Sequence, residues 1–177
     1  MTNITDKIKN SIRDIKDFPK EGIVFKDITP ILLDSQLCKE IVDEFVKGIL
    51  PLKPDAIACV EARGFFFGTL IAQRLQIPFV PIRKKGKLPY NTISHSYDLE
   101  YGSATIEIHD DAIQKGWNVL IHDDLLATGG TASAAAELIT KKDAQVVGFS
   151  FLVDLTFLNG DETLIPYCEK IISLIQY

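Results

Sequence analysis

The stretch WNVLIHDDLLATGGTASAAAELI, residues 117–139, contains an apolar run, two acids, a glycine-rich turn and an alanine-rich segment in series. The run at 117–122 is short and apolar, as in strands that are buried on both faces. Residues 131–142 have the alanine-rich composition of a helix. A buried strand that leads through a short turn into a helix is part of a βαβ unit, and such units build parallel sheets.

The rest of the chain repeats this alternation. Short apolar strands are predicted at 56–60, 78–82 and 145–153, and helices at 34–48 and 65–75. Strands that alternate with helices are typical of an open sheet covered on both faces. The pattern therefore predicts an α/β fold with a doubly wound, mainly parallel sheet.

The two predicted helices nearest the N-terminus are indicated by an apolar stripe in the first and by capping residues in the second. One apolar stripe at helical spacing predicts an N-terminal helix that carries Ile4, Ile8, Ile12 and Ile15. For the helix at 34–48, we expect Asp34 or Ser35 as the N-cap and Gly48 as the C-cap. No internal repeat or interdomain linker interrupts the pattern, so we expect a single domain.

Composition excludes several classes of function. The chain has 177 residues and a net charge of −5, so no global basic field favours nucleic acid or an anionic membrane. The three cysteines lack CxxC spacing, which predicts neither a disulfide framework nor a zinc site. The N-terminus does not resemble a signal peptide, and no apolar run approaches a membrane span. We therefore expect a cytoplasmic protein.

The glycine-rich turn predicts an anion site. In an open α/β sheet, ligands bind beyond the carboxyl ends of the strands. Backbone N–H groups at the start of the following helix favour a phosphate, and glycine lets the backbone approach it closely. Two hydroxyls add possible donors. The residues expected to bind the phosphate are Ala127, Thr128, Gly129, Gly130 and Thr131.

The adjacent acids narrow the choice of ligand. Asp123 and Asp124 would repel a phosphate that they faced, so we expect them to accept hydrogen bonds from hydroxyls or to face a cation. A sugar phosphate supplies both a phosphate and vicinal hydroxyls. The spacing matches neither GxGxxG nor a P-loop. The alternative is a helix-entry turn beside a solvated acidic pair.

These residues carry a family resemblance. VLIHDDLLATGGT at 119–131 resembles the phosphoribosyl-pyrophosphate signature of type I phosphoribosyltransferases, and DDLLATGGT is similar to its form in the adenine-specific members. The likeness extends from Phe18 to the last residue. It implies conversion of adenine and 5-phosphoribosyl 1-pyrophosphate into AMP and diphosphate, with Mg²⁺, by a homodimer. It also implies one domain over 1–177, with a helix and base-binding hood at 1–33 and a flexible loop and hairpin at 83–111.

The resemblance assigns Arg63 to pyrophosphate binding. The motif VEARGFFFG, residues 60–68, places Arg63 directly after a predicted strand. An arginine there can meet the pyrophosphate of the same ligand, or it can be a surface arginine before a helix. The family often has a cis peptide before this arginine. A cis Ala62–Arg63 bond, if present, would mark a functional site.

Residues 83–111 are polar, and SATIEIH at 103–109 alternates with period two, which predicts a long loop and a hairpin. Within IRKKGKLPY, residues 82–90, we expect four cations to stabilise the leaving diphosphate: Arg83, Lys84, Lys85 and Lys87. In the homodimer implied by the resemblance, the neighbour's Arg83 reaches across to the site. The alternatives are a solvated basic loop, a nuclear address or a nucleic-acid patch.

The resemblance also implies residues that bind the base. Glu100 would be the catalytic acid or base near the purine N7, and Tyr101 would contact the substrate. The backbone of Val24 and Lys26 would recognise adenine while Phe25 stacks on the ring, although Phe25 can equally be a core aromatic. Mg²⁺ would have Asp123 or Asp124 in its inner or outer shell, and the sequence leaves both arrangements open.

Two other functions compete with this hypothesis. A sensor of phosphoribosyl pyrophosphate or nucleotides would keep the fold without the chemistry, but no DNA-reading element is predicted. An enzyme for guanine, hypoxanthine or orotate is the other alternative, and the hood argues against it by resemblance alone. His122 stands where the signature is usually aliphatic, and we expect it to be a hydrogen-bonded structural histidine. His95 and His109 receive no role.

Overall fold

The computed structural model describes residues 3–98 and 102–177. The chain divides into two compact units, residues 1–44 and 45–177. The single domain expected over 1–177 stays a prediction. Within the described residues, no helix combines the length and the apolar character that crossing a membrane requires.

The first unit contains a helix and a hairpin: α1 Ile4–Ser11, β1 Arg13–Lys16 and β2 Val24–Asp27. The prediction that the N-terminal helix continues to Ile15 was wrong. Ile12 has extended backbone angles, and β1 pairs antiparallel with β2, with Ile15 opposite Phe25. The pairing supplies backbone partners that outweigh the helical spacing of the isoleucines, and Lys26 adds an ion pair to Asp14 at 2.8 Å.

Helix α2 Ser35–Ile49 begins in the first unit. Asp34 is its N-cap as predicted, because its Oδ1 accepts a hydrogen bond from the N–H of Leu37 at 2.9 Å. The C-cap prediction was wrong, because Gly48 lies inside the helix. Ile49 is fully buried, so its burial favours one more helical residue before the 3-10 turn Leu50–Leu52.

The second unit is built on one seven-stranded sheet with the order β5-β6-β4-β3-β7-β8-β9. Its strands are β3 Ala56–Val60, β4 Phe79–Lys84, β5 Thr92–Asp98, β6 Ser103–His109, β7 Asn118–Leu126, β8 Gln145–Asp154 and β9 Ile171–Gln176. The strands from β4 through β9 in this order are parallel, whereas β6 is antiparallel to β4 and β5. The predicted mainly parallel sheet with a hairpin is confirmed; β9 and the short helix α5 Gly160–Leu164 were not predicted.

Helices pack on the sheet through alternate residues of its central strands. Helix α4 Gly130–Lys141 joins a buried cluster that includes Ala56, Ala58 and Val60 of β3. The intervening residues Ile57 and Cys59 are also fully buried. They lie on the opposite face of β3, because side chains alternate along a strand. Helix α3 Gly64–Leu75, which contacts β3, β4 and β7, follows β3 directly.

Strand β7 is longer than predicted. The sequence placed its end at His122, but pairing with β8 continues to Leu126. Pairing with β3 stops at His122, opposite Cys59. Asp123 and Asp124 therefore lie in the part of β7 that is still paired with β8. On the other side of β7, strand β3 has already ended.

Candidate active site

The site lies where the connections of the sheet change direction. The chain leaves β3 toward β4 on one side, and β7 occupies the other side of β3. Such a switch point opens a crevice at the carboxyl ends of the two strands. A cavity of about 190 Å³ occupies this position. Its lining includes Arg63, Lys84, Tyr97, Asp123, Asp124 and Thr131.

The two acids and Arg63 form the floor of this cavity. Asp124 is only 4% exposed, and its Oδ2 lies 2.9 Å from Nε of Arg63. The backbone N–H of Asp124 donates to Oδ1 of Asp123 at 2.8 Å. Burial raises the pKa of both carboxyl groups, repulsion from Asp124 raises that of Asp123 further, and Arg63 opposes both shifts. The pair therefore holds a proton more tightly than exposed aspartates do.

The start of α3 packs directly against this pair. A Cβ placed on Gly64 would lie 2.9 Å from Oδ1 of Asp123 and 3.2 Å from the carbonyl oxygen of His122. A side chain at this position would displace the acid. Only glycine therefore lets the helix that follows Arg63 approach β7 so closely.

The glycine-rich turn surrounds a second, smaller cavity of about 80 Å³, lined by Asp123, by Phe151 and by residues 125–132. This volume holds several water-sized groups, which suits a phosphate. Gly129 has φ +81°, and a Cβ there would lie 2.5 Å from the carbonyl oxygen of Gly160. Thr163 donates to the carbonyl oxygen of Thr128 at 3.0 Å. The turn is thus held by the segment that begins α5, and α4 starts at its end.

The basic turn, residues 84–88, is held by a buried acid. Glu107, which is 4% exposed, accepts backbone N–H groups from Gly86, Lys87 and Leu88 at 2.9, 3.2 and 3.1 Å. Its other oxygen accepts the hydroxyl of Thr92 at 3.3 Å. Several donors that converge on one carboxylate fix the path of this turn at the rim of the cavity.

The cations of this region have different surroundings. Nε of Arg83 lies 2.5 Å from Oε2 of Glu61, and Nη1 of Arg83 donates to the carbonyl oxygen of Lys87 at 3.1 Å. Lys84 lines the cavity, while the side chains of Lys85 and Lys87 are exposed. Within this chain, Arg83 is therefore directed to Glu61.

The backbone before Arg63 contains a cis peptide. It joins Glu61 to Ala62, one bond earlier than the Ala62–Arg63 bond that the resemblance suggested.

His122 is buried beneath the acids. Its Nδ1 lies 2.9 Å from Oγ of Ser150, and its ring contacts Phe45 edge to face with centroids 5.2 Å apart. Burial lowers the pKa of His122 to about 3. The prediction of a hydrogen-bonded structural histidine is therefore confirmed, and the ring is neutral near pH 7.

Comparison with known proteins identifies the family. A model of the phosphoribosyl transferase domain matches residues 27–161. The adenine phosphoribosyltransferase of Cytophaga hutchinsonii is 58% identical over 170 residues, which span 96% of this chain and 94% of that protein. The chain belongs to the adenine phosphoribosyltransferase family.

Solved structures of adenine phosphoribosyltransferases have the same fold. The enzyme from Thermoanaerobacter pseudethanolicus superimposes with a TM-score of 0.94 at 49% identity, covering 98% of this chain and 99% of that one. The enzyme from Saccharomyces cerevisiae superimposes with a TM-score of 0.90 at 37% identity, covering 97% and 98% of the two chains. The yeast crystal contains adenine and an imino-altritol bisphosphate.

The structure brings together part of the predicted phosphoribosyltransferase site. One cavity joins Arg63, Lys84, both acids and Thr131, while the remaining turn residues line the adjacent cavity. Val24, Phe25 and Lys26 lie on β2 in the first unit. There Phe25 contacts Phe18 edge to face at 5.2 Å. Glu100 and Tyr101 lie outside the described residues.

Sequence reasoning missed Glu61, Tyr97 and Glu107. Glu107 carries a recognisable signal, because it is an acid inside the otherwise apolar run IEI at 106–108. Such an acid is buried only when it is paired or hydrogen-bonded. For Glu61 and Tyr97, the strand pattern contains no comparable signal.

Proposed function

We propose that this protein transfers the 5-phosphoribosyl group of 5-phosphoribosyl 1-pyrophosphate to N9 of adenine, giving AMP and diphosphate. One observation carries this proposal. The buried acids with Arg63 and the glycine-rich turn share one strand edge, in a chain of the adenine phosphoribosyltransferase family.

The 5-phosphate occupies the turn at 127–131. The cavity there has room for the group, and the N-terminus of the twelve-residue helix α4 contributes positive charge. The hydroxyls of Thr128 and Thr131 add donors. This end of the substrate anchors the sugar, and the anchoring sets the position of its anomeric carbon.

The ribose hydroxyls donate to Asp123 and Asp124, which lie beside the phosphate cavity. Arg63 and Lys84 face the same cavity and neutralise the diphosphate as it leaves, with Lys87 at the rim. The bond from the anomeric carbon to the diphosphate oxygen breaks, and its electron pair leaves with the diphosphate. The resulting oxocarbenium-like centre accepts the lone pair of N9.

Adenine is recognised by the hood. The backbone groups of Val24 and Lys26 match its amino group and N1, and Phe25 stacks on the ring. Glu100 exchanges a proton with the base so that N9 loses its own proton as the new bond forms. Tyr101 contacts the substrate next to it. These assignments rest on the family resemblance.

The proposed reaction uses Mg²⁺ as its cofactor. Within the described residues, no group of three or more His, Cys, Asp or Glu side chains is placed to hold a metal. A site with two acids still fits Mg²⁺, which binds through one or two carboxylates plus substrate phosphates. When bound, the ion would neutralise negative charge on the pyrophosphate. Asp123 is the better placed ligand, because Asp124 is paired with Arg63.

We also propose a homodimer in which Arg83 of one subunit serves the site of the other. Several large apolar side chains of the second unit are exposed and available for such an interface, among them Leu50, Phe66, Leu70 and Phe157. The cytoplasmic location expected from the sequence stays a prediction.

Release of diphosphate tests the reaction. The purified protein is given Mg²⁺ and 5-phosphoribosyl 1-pyrophosphate with adenine, hypoxanthine, guanine or orotate in separate reactions. We expect release with adenine alone, loss of release in Asp123→Asn and Asp124→Asn, and a greatly reduced kcat in Glu100→Gln. Asp111→Asn is the matched control, because Asp111 is exposed. Tight binding of the sugar pyrophosphate without turnover on any base would favour a sensor instead.

A further inference from the structure

Tyr97 connects the hairpin β5–β6 to the phosphate turn, the glycine-rich residues 127–131. It stands near the end of β5, opposite Ala104 of β6. Its hydroxyl lies 3.0 Å from Oγ1 of Thr131. The edge of its ring lies over Gly130, since a Cβ placed there would be 3.8 Å from Cδ2 of Tyr97. A side chain of the hairpin thus covers the first turn of α4.

This contact lies inside the candidate site. Tyr97 and Thr131 line the same cavity as Arg63 and the two acids. Thr131 also belongs to the lining of the smaller phosphate cavity. Thr131 therefore borders both cavities, and its hydroxyl contacts the phenol of Tyr97.

The chemistry of the two hydroxyls gives the contact a direction. A threonine hydroxyl has one hydrogen to donate and two lone pairs to accept. When the phenol of Tyr97 donates to Thr131, the hydrogen of Thr131 remains available for an anion in the turn. A phosphate oxygen is the strongest acceptor that this position can meet, so a bound phosphate favours this one arrangement of the two hydrogens.

Strand β5 is tied to α4 at a second point. Nζ of Lys141, in the last turn of α4, donates to the carbonyl oxygen of Ser94 at 3.1 Å. This second tie is at the end of the helix far from the phosphate turn. It provides an internal comparison, because it attaches the same strand to the same helix without touching the site.

We propose that Tyr97 is a positioning residue: its phenol orients the hydroxyl of Thr131 toward the 5-phosphate, and the same bond couples phosphate occupancy to the hairpin β5–β6. The inference rests on the proposed function, because it requires a phosphate in the turn at 127–131. The coupling has a consequence for strand β5. Occupation of the phosphate end would stabilise the strand that leads, two residues beyond Asp98, to Glu100.

The first experiment measures the dissociation constants of ribose 5-phosphate and of diphosphate by calorimetry. Tyr97→Phe keeps the ring over Gly130 and removes only the hydroxyl. We expect ribose 5-phosphate to bind about fivefold more weakly, the loss expected for one hydrogen bond of about 1 kcal/mol, while diphosphate binding is unchanged. KM for 5-phosphoribosyl 1-pyrophosphate should rise by a similar factor, with little change in kcat.

A double-mutant cycle identifies the partner. In Thr131→Val, the additional Tyr97→Phe change should have no further effect on ribose 5-phosphate binding, because the oriented hydroxyl is already absent. Lys141→Met, which removes the distant tie, and Tyr90→Phe, at an exposed position, are the controls, and both should bind ribose 5-phosphate as the wild type does. Fully additive losses would overturn the proposal, since the phenol would then act on the ligand directly.

Hydrogen exchange tests the coupling without mutation of Tyr97. Ribose 5-phosphate should slow exchange of the backbone amides of residues 92–98 in the wild type and in Lys141→Met, but not in Thr131→Val. Equal slowing in Thr131→Val at saturating ligand would contradict the coupling. A wild-type protein that binds no ribose 5-phosphate would refute the phosphate site itself. Normal binding with an unaffected Tyr97→Phe would refute only the role of Tyr97.

Discussion

Gly129 is the residue on which the shape of the phosphate turn depends. Its φ of +81° is unfavourable for residues with a Cβ. A side chain at this position would also clash with its neighbours, because a Cβ would lie 2.5 Å from the carbonyl oxygen of Gly160 and 2.9 Å from Cβ of Thr163. The neighbouring glycine has neither constraint, since a Cβ at Gly130 would make only ordinary contacts at 3.8 Å.

The two glycines therefore differ in their response to the same change. We expect Gly129→Ala to lower the free energy of unfolding by at least about 2 kcal/mol, from backbone strain and from displacement of the α5 segment. Gly130→Ala should change it by less than about 1 kcal/mol, because alanine is favourable in a helix. Urea denaturation of both variants checks this. Equal stability of the two would contradict the close approach to Gly160.

His122 makes stability depend on pH. Burial lowers its pKa from 6.5 to about 3 in the folded protein. As the pH falls below about 6.5, the unfolded chain binds a proton that the folded protein does not, so the His122 contribution to stability decreases. Asp123 and Asp124 act in the opposite direction, because their pKa values are raised by burial.

Comparison with a variant isolates the histidine. Between pH 7 and pH 5, the wild type should lose about 2 kcal/mol of stability relative to His122→Asn, because each pH unit below the unfolded pKa costs about 1.4 kcal/mol. Asn91→Gln, at an exposed position without a titratable group, is the control and should have the pH dependence of the wild type. Urea denaturation at both pH values measures the difference. Parallel pH curves for wild type and His122→Asn would show that the ring is accessible to protons.

At the scale of elements, β6 supports the basic turn at the end of β4. Three consecutive backbone N–H groups of this turn donate to the buried carboxylate of Glu107. Lys85 adds a backbone hydrogen bond to Thr105 at 3.0 Å. Strand β6, rather than the local sequence of the turn, therefore fixes the backbone path of residues 84–88.

Loss of the carboxylate should open this turn. In Glu107→Ala, three backbone N–H groups lose their acceptor, and a typical hydrogen bond contributes about 0.5–1.5 kcal/mol. Trypsin cleavage in the native protein at Lys84, Lys85 and Lys87 should become at least about tenfold faster, because 1.4 kcal/mol of local opening is a factor of ten. KM for 5-phosphoribosyl 1-pyrophosphate should also rise. Glu107→Gln, which keeps one acceptor oxygen, is the matched control and should be cleaved more slowly than the alanine variant; equal rates would contradict the role of the acid.

At the scale of the whole molecule, the position of Arg83 bears on the proposed dimer. Within one chain, Arg83 is paired with Glu61, whereas Lys84 lines the cavity of its own chain. If Arg83 acts in the site of the neighbouring subunit, a subunit with a substitution at Arg83 can regain activity in a mixed dimer. The other subunit of that dimer must keep Arg83 and carry a substitution elsewhere in the site.

Mixing two inactive variants tests this arrangement. Arg83→Ala and Asp123→Asn each damage every site of their own homodimer. After subunit exchange, a mixed dimer has one site with both defects and one with neither. We therefore expect activity to recover to about a quarter of the wild type, since about half of the dimers are mixed. Mixtures of Asp123→Asn with Asp124→Asn are the control and should stay inactive. Absence of recovery, with exchange verified by mass spectrometry, would place Arg83 in its own site.

The sequence by itself determined the order of the central elements and the place of the glycine-rich turn before α4. Those signals are local: apolar runs, capping residues and a glycine-rich turn are read over a few neighbouring positions. The acids at 123 and 124 were identified for the same reason. Local signals failed after Ser11: Ile12 ends the helix, and Ile15 pairs with a strand further along the chain.

Only the tertiary structure decided which side chains meet. Tyr97 and Thr131 are 34 positions apart, and Glu107 is 21 positions from Gly86, whose N–H it accepts. The pairing of Arg63 with Asp124 likewise joins the start of α3 to strand β7. Strand order and register create these contacts. Strand order and register depend on packing of the whole sheet, and the sequence periodicity of a single segment does not specify them.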